Sequence, residues 1–338
     1  MNKDELKKTL AILLTDYKGI LAADASTPTM TKRFEKAAIE STEETRRQFR
    51  QLLVTTHDLG KYIGGIILFD ETIRQRLDNE KSFSEHVASR GILPGIKVDE
   101  GTEPFKGSEN EKVTQGLDGL AGRLGQYVEM GAKFTKWRAV IKIGGGIPTK
   151  ECIMANADIL AEYARESQEK GLVPIVEPEV LMDGTHTIKR CEKVTIETLQ
   201  AVFRSLRTQG VNLEGMILKP NMVLPGKESG QSVSPQQVAD FTIRALKSSV
   251  PTQVPAIVFL SGGQDAKLAT ERLNEICKAC GLPWELGFSF ERALEGPAME
   301  IWKGKAENTD AAQAALLHRA KMNSLARRGE YKKELENE

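Results

Sequence analysis

The chain has 338 residues, 40% of them hydrophobic and 28% charged, which is the profile of a folded globular protein and excludes a disordered or fibrous one. Lysine plus arginine equals aspartate plus glutamate at 47 each, so no overall basic excess draws the chain to nucleic acid or an anionic membrane, and any preference for anions must be local. No apolar run approaches the roughly 20 residues of a bilayer span, and Cys152, Cys191, Cys277 and Cys280 are too few and scattered for a disulfide framework, which predicts a soluble protein of the reducing cytoplasm.

Residues 1–17 are charged from the second turn and place Leu6, Leu10 and Leu13 at helical spacing, which predicts an amphipathic helix and not a signal peptide. Short apolar runs then alternate with longer amphipathic stretches. The runs are 19–23, 63–69, 92–98, 137–143, 172–176, 215–218, 254–260 and 286–290, nearly continuous, as strands buried on both faces require. Eight such runs predict βα units around a parallel sheet, and a domain of this length fits a TIM (β/α)8 barrel with extra N- and C-terminal helices. Ser41-Thr-Glu-Glu44 reads as a capping box before a helix at 46–55, and Ser234-Pro-Gln-Gln237 as another. Helices at 156–170 and 195–209 are predicted to stop at Gly171 and Gly210. No linker-like or low-complexity stretch divides the chain, so residues 1–338 are read as a single α/β-barrel domain. It closes with a terminal helix at about 310–327 and a charged, solvated tail at 331–338.

A barrel enzyme carries its chemistry where its strands end. The first run leads into Asp24, the third into Lys97 and Asp99, the fifth into Glu177 and Glu179, the sixth into Lys219, and the eighth is followed by Arg292. Lys136, Arg138 and Lys142 flank or interrupt the fourth at even spacing and so share one face. These six cations outnumber the four anions, which predicts a positive mouth suited to a sugar phosphate. After the seventh run, Ser261-Gly-Gly-Gln264 precedes a helical pattern, an arrangement that can cradle phosphate, with Arg292 as a bidentate partner. Lys219, delivered by an apolar strand, would have its ammonium form disfavoured by burial and neighbouring cations, freeing an amine to attack a ketone. Glu177 and Asp24 are placed to move the protons of aldol chemistry.

Other motifs carry less. Cys277-Lys-Ala-Cys280 lies in a helical pattern without a second pair at metal spacing. Gly144-Gly-Gly146 lacks dinucleotide-site spacing and reads as a loop. His57, His86, His186 and His318 are dispersed, so no metal is expected.

Gly19-Ile-Leu-Ala-Ala-Asp24, Lys136-Trp-Arg138, Pro174-Ile-Val-Glu-Pro-Glu179, Leu218-Lys-Pro-Asn-Met222 and Leu260-Ser-Gly-Gly-Gln264 together resemble class I fructose-1,6-bisphosphate aldolase. The resemblance runs from about Leu10 to Tyr331 and includes Gly64-Gly-Ile-Ile-Leu-Phe69 and Gly116-Leu-Asp-Gly-Leu120. It implies that Lys219 forms a Schiff base with the dihydroxyacetone phosphate half, that Glu177 is the general acid/base, and that Asp24 takes the C4 hydroxyl proton. Lys136 would orient these groups and Glu179 would support the lysine cluster. Ser261, Gly262 and Arg292 match one phosphate site; Ser26, Thr29, Lys97 and Arg138 match contacts to the other end of the substrate. A cytoplasmic homotetramer of glycolysis and gluconeogenesis, needing no metal or cofactor, is also implied.

The sequence departs from the family pattern in three places. Ala25 stands where many members have Glu, Pro28-Thr29 replaces a Gly-Ser pair, and Glu291 stands where many have Gly, bringing a carboxylate beside Arg292. The long tail ending in tyrosine of the animal enzymes is also missing, and Tyr331 is not its equivalent. Two rival readings stay open on the residues alone: a sugar-phosphate isomerase or epimerase of the same fold, and a non-catalytic sugar-phosphate-binding scaffold.

Overall fold

The computed structural model describes residues 3–279 and 281–337. Eight parallel strands, β1 (Gly19–Ala22), β2 (Ile63–Leu68), β3 (Leu93–Lys97), β4 (Phe134–Ile141), β5 (Val173–Val180), β6 (Ile217–Leu218), β7 (Ala256–Phe259) and β8 (Glu285–Phe290), pair in chain order and close from β8 onto β1. The TIM (β/α)8 barrel is therefore present, with one strand at each predicted apolar run. Two boundaries differ in a way that matters for the site. β4 begins at Phe134 instead of 137 and β5 continues to Val180 instead of 176, in a ladder from Phe134↔Val173 to Ile141↔Val180. An apolar-run criterion stops at a charge, but a charged side chain turned into the barrel mouth does not interrupt the backbone ladder. Lys136, Arg138, Glu177 and Glu179 are thus strand residues, fixed by register and not by loops. β6 is shorter than predicted because Leu213–Gly215 forms a 3-10 turn.

The helices are α1 (Lys3–Leu14), α2 (Thr27–Lys36), α3 (Glu43–Thr55), α4 (Asp70–Arg74), α5 (Phe83–Ser89), α6 (Leu120–Glu129), α7 (Lys150–Glu169), α8 (Ile188–Thr208), α9 (Pro235–Ser249), α10 (Ala266–Cys277), α11 (Arg292–Trp302) and α12 (Thr309–Arg327). α1 plugs the amino end of the barrel: Leu6, Leu10 and Leu13 are buried with the inward residues Ile20, Phe134, Val173, Ile217 and Val258. A Cβ on Gly64 of β2 would stand 2.8 Å from the Leu13 carbonyl oxygen, so this contact needs glycine.

α3 is capped by Thr42, whose Oγ1 accepts from the Thr45 N–H at 3.1 Å, and not by Ser41 as predicted, because Ser41 Oγ is engaged with Thr31 at 2.8 Å. The Ser234 capping box forms as predicted, with Pro235 in the first turn. α7 and α8 start earlier than predicted, capped by Thr149 and Thr187, and give way to Gly171 and Gly210 at φ of 76° and 72°. An antiparallel pair, Thr102–Pro104 with Lys112–Thr114, was not foreseen and brings Thr102 to the cavity rim.

The tail is a correction. Residues 331–337 are docked at two points, while Lys332, Lys333, Glu334 and Asn337 stay exposed: Tyr331 is buried, and the Glu336 carboxylate accepts from Arg319 Nη1 at 2.5 and 2.7 Å and from the Tyr331 hydroxyl at 2.9 Å. Arg319, buried on α12, requires such a counter-charge. Cys277 ends α10, while Cys280 and Glu338 lie outside the described residues. Among the described residues no helix is long and apolar enough to cross a membrane.

Candidate active site

Strand register assembles a line of four buried charges at the carboxyl end of the barrel. The Ala23 N–H donates to the Ile67 carbonyl at 3.0 Å, which places Asp24 just beyond β1. The β4–β5 register sets Arg138 opposite Glu177, and the Lys219 N–H donates to the Val176 carbonyl at 2.8 Å, which sets Lys219 beside Glu177. From there the contacts alternate in sign. Asp24 Oδ2 lies 2.7 Å from Lys136 Nζ, Lys136 Nζ lies 3.2 Å from Glu177 Oε2, and Glu177 Oε1 lies 3.3 Å from Lys219 Nζ. Each of the four residues is at most 4% exposed.

Burying four charges costs several kcal/mol per ion unless each is paired, and the alternating line pairs all of them with no net charge. Burial opposes ionisation of Asp24, but Lys136 and Lys219 overcome it and hold its carboxyl at about 2. Lys136 is likewise desolvated, yet Asp24 and Glu177 pin it as an ammonium well above the usual lysine range. Lys136 pairs with two carboxylates, whereas Lys219 pairs with Glu177.

A wider cavity of about 1110 Å³ opens above this line, lined by ten cationic and seven anionic side chains, so the local positive excess predicted from the sequence is present. Its walls hold the remaining candidates. Lys97 Nζ is paired with Asp99 Oδ1 at 2.6 Å, and Ser26 Oγ is 3.1 Å from Thr29 Oγ1 at the start of α2. The hydroxyl pair thus exists although Thr29 replaces a serine. Arg138 Nε donates to Glu179 Oε2, so Glu179 partners Arg138 and not the lysine cluster as expected. Ser261 and Gly262 line the cavity, and the Arg292 guanidinium lies so close to Gly263 that a Cβ there would sit 2.7 Å from Nη2.

Two expectations are corrected. Lys142 does not join the mouth: β4 ends at Ile141, and Lys142 is exposed and donates to Asn110 Oδ1 at 2.8 Å. The start of α10 does not face the Ser261 turn as an open anion site. Asp265 Oδ1 caps it, accepting from the Lys267 and Leu268 N–H groups at 3.0 Å each. What faces the cavity at this corner is the glycine turn and Arg292.

Four residues form a network that sequence reasoning missed, apart from Glu291. Arg33 of α2 donates through Nη1 to Glu295 at 2.7 Å and meets Glu291 through Nη2 at 2.9 Å; Arg50 of α3 lies 3.7 Å from Glu295 and donates to the Ala25 carbonyl at 3.0 Å. Burial pushes the Glu295 carboxyl up to about 7 against the pull of Arg33 and Arg50. Burial also opposes the charge on Glu291, but Arg33 prevails and holds its carboxyl below the usual range. A usable signal existed: Glu291 and Glu295 are four residues apart at a helix start, so they share a face.

A closed parallel barrel with a buried lysine, its carboxylate partners and a cationic rim at the strand carboxyl ends defines a barrel enzyme of phosphorylated small molecules. Comparison with known proteins narrows the class. The family model for fructose-bisphosphate aldolase class-I matches residues 5–338. The "probable fructose-bisphosphate aldolase class 1" of Xanthomonas campestris is 49% identical over 333 residues, 98% of this chain and 100% of the relative. The cytosolic fructose-bisphosphate aldolase 4 of Arabidopsis thaliana is 50% identical over 329 residues, 97% of this chain and 84% of the relative. A solved structure of the Plasmodium falciparum aldolase, in complex with TRAP and a small-molecule inhibitor, superposes with a TM-score of 0.96 at 45% identity, covering 98% of this chain and 96% of that one. The chain belongs to the class-I fructose-bisphosphate aldolase family, and its function is that of a fructose-bisphosphate aldolase, a lyase of glycolysis. The isomerase and scaffold readings find no support among these relatives.

Proposed function

We propose that Lys219 performs the aldol cleavage of fructose 1,6-bisphosphate as an amine, giving dihydroxyacetone phosphate and glyceraldehyde 3-phosphate reversibly. The observation that carries this reading is the 3.3 Å contact of Lys219 Nζ with Glu177 in a buried line of charges. The amine attacks the C2 carbonyl, Glu177 shuttles protons as the carbinolamine forms and loses water, and the protonated Schiff base draws electrons from the C3–C4 bond. Asp24 receives the C4 hydroxyl proton. With its carboxyl at about 2 it is ionised at neutral pH, and it becomes an effective base once bound substrate parts it from Lys136. Lys136 then faces the developing negative charge as a fixed cation. The imine supplies the electron sink, so no step is assigned to a metal or cofactor.

In this reading Ser261, Gly262 and Arg292 receive one phosphate, and Ser26, Thr29, Lys97 and Arg138 contact the other end of the substrate, with Glu179 orienting Arg138. The barrel and its terminal helices act as a single domain, and the enzyme works as a homotetramer in the cytoplasm, also serving gluconeogenesis. The cytosolic designation of the Arabidopsis relative supports the compartment, and sedimentation of the purified protein tests the assembly. The catalytic assignment is tested by Lys219→Met, which is expected to abolish cleavage while inorganic phosphate binds as before. Retained cleavage would remove Lys219 from the chemistry.

A further inference from the structure

Glu291 is the one departure from the family pattern that places a formal charge in the cavity. Its position is defined on both sides. It is the residue before Arg292 at the start of α11, and its Oε2 is 2.9 Å from Arg33 Nη2 on α2. Both side chains line the cavity and both are only partly buried, Glu291 at 29% and Arg33 at 17% exposure. Arg33 is anchored independently of Glu291, because its Nη1 donates to the fully buried Glu295 at 2.7 Å. Arg50 adds a second cation against Glu295 and ties the group to the Ala25 carbonyl. The formal charges of the two arginines and two glutamates cancel, although the Glu295 carboxyl, pushed up to about 7, is only partly ionised at neutral pH. Without Glu291 the group would gain one unit of positive charge, and the Arg33 fork would keep its anchor while presenting Nη2 to the cavity that Arg292 also lines.

We propose that Glu291 is a specificity-determining residue that withholds Arg33 from the substrate's phosphate: its carboxylate competes with that phosphate for the Arg33 guanidinium and sets how tightly the enzyme holds phosphorylated ligands. A phosphate entering the cavity they share with Arg292 meets a carboxylate and an arginine already satisfied. It must either displace Glu291 from Arg33 or bind with one fewer cation. Either way the contribution is to ground-state binding, which is shared by substrate and transition state, so it reads in KM more than in kcat. Glu291 does not touch the reacting carbons and is not a catalytic residue. The inference rests on the reading of Ser261, Gly262 and Arg292 as a phosphate site.

Two kinetic readouts on the full-length enzyme test it: KM and kcat for fructose 1,6-bisphosphate, and the competitive inhibition constant of inorganic phosphate. They are measured for Glu291→Gln, Glu291→Asp and Arg292→Met, with thermal melting to establish that each variant is folded. In Glu291→Gln, loss of a like charge at a partly buried site should lower both KM and the phosphate inhibition constant by about fivefold, with kcat moving by less than about twofold. Glu291→Asp keeps the charge and should stay near the parent enzyme. A folded Glu291→Gln enzyme whose phosphate affinity is unchanged or weaker overturns the proposal, as does an Asp variant that behaves like the Gln variant. If Arg292→Met leaves phosphate inhibition intact, the phosphate-site reading fails. In that case the inference falls with the reading it rests on, whereas unchanged phosphate affinity in Glu291→Gln alone overturns the inference and leaves that reading standing.

Discussion

Lys136 and Lys219 are both buried and both in contact with Glu177, yet their surroundings differ. Two carboxylates at 2.7 and 3.2 Å fix Lys136 as a cation, while Lys219 shares one carboxylate at 3.3 Å. If Glu177 moves the protons, Glu177→Gln should lower kcat by about a hundredfold or more while inorganic phosphate inhibits as before; an unchanged kcat would remove it from the mechanism. Asp24 has a pH consequence whose sign follows from its carboxyl being held at about 2 in the fold, below the ordinary aspartate value of about 3.9. Its ionised form stabilises the fold above pH 4, and this stabilisation, about 2 kcal/mol, is lost as pH falls through about 2. The stability gap between the parent and Asp24→Asn, followed by acid-titrated thermal melting, should narrow between pH 4 and pH 2. These residues were legible because strand alternation and position after apolar runs point at them directly. Arg33 and Glu295 were not, since their pairing joins residues 262 apart on two helices, and helical positions far apart in sequence announce no common site.

At the level of elements, the eight strands could be read from apolar runs because parallel strands buried on both faces leave that mark. The start of β4 and the end of β5 could not, because Lys136 in the one and Glu177 and Glu179 in the other turn charges into the cavity. The leucine spacing of α1 foretold an amphipathic helix, but its role as the plug of the barrel's amino end depends on close approach to β2, which only the fold reveals. Gly64 is the hinge of that contact: a methyl group there would press on the Leu13 backbone at 2.8 Å. Gly64→Ala should therefore destabilise the protein by about 1–3 kcal/mol in urea unfolding, with KM nearly unchanged because α1 is at the opposite end from the site. A neutral effect on stability would mean α1 is not seated as described. The same distinction holds at α10, where the glycine turn was found in the sequence but the capping role of Asp265 was not.

Across the whole molecule, 47 positive and 47 negative residues cancel, and the field relevant to binding is the excess of cations gathered at one end of the barrel. Binding of a doubly phosphorylated sugar should consequently weaken with salt. Raising ionic strength from about 0.05 to about 0.5 M should raise KM by about threefold or more, with a smaller change in kcat; a flat salt dependence would argue against an electrostatic mouth. The central claim is that one particular nitrogen, Lys219 Nζ, becomes covalently bound to the keto sugar. Reduction with borohydride in the presence of dihydroxyacetone phosphate, followed by digestion and mass spectrometry, measures this directly. The account predicts a reduced adduct on the peptide containing Lys219 that vanishes in Lys219→Met; no adduct, or one carried by Lys136, would contradict it.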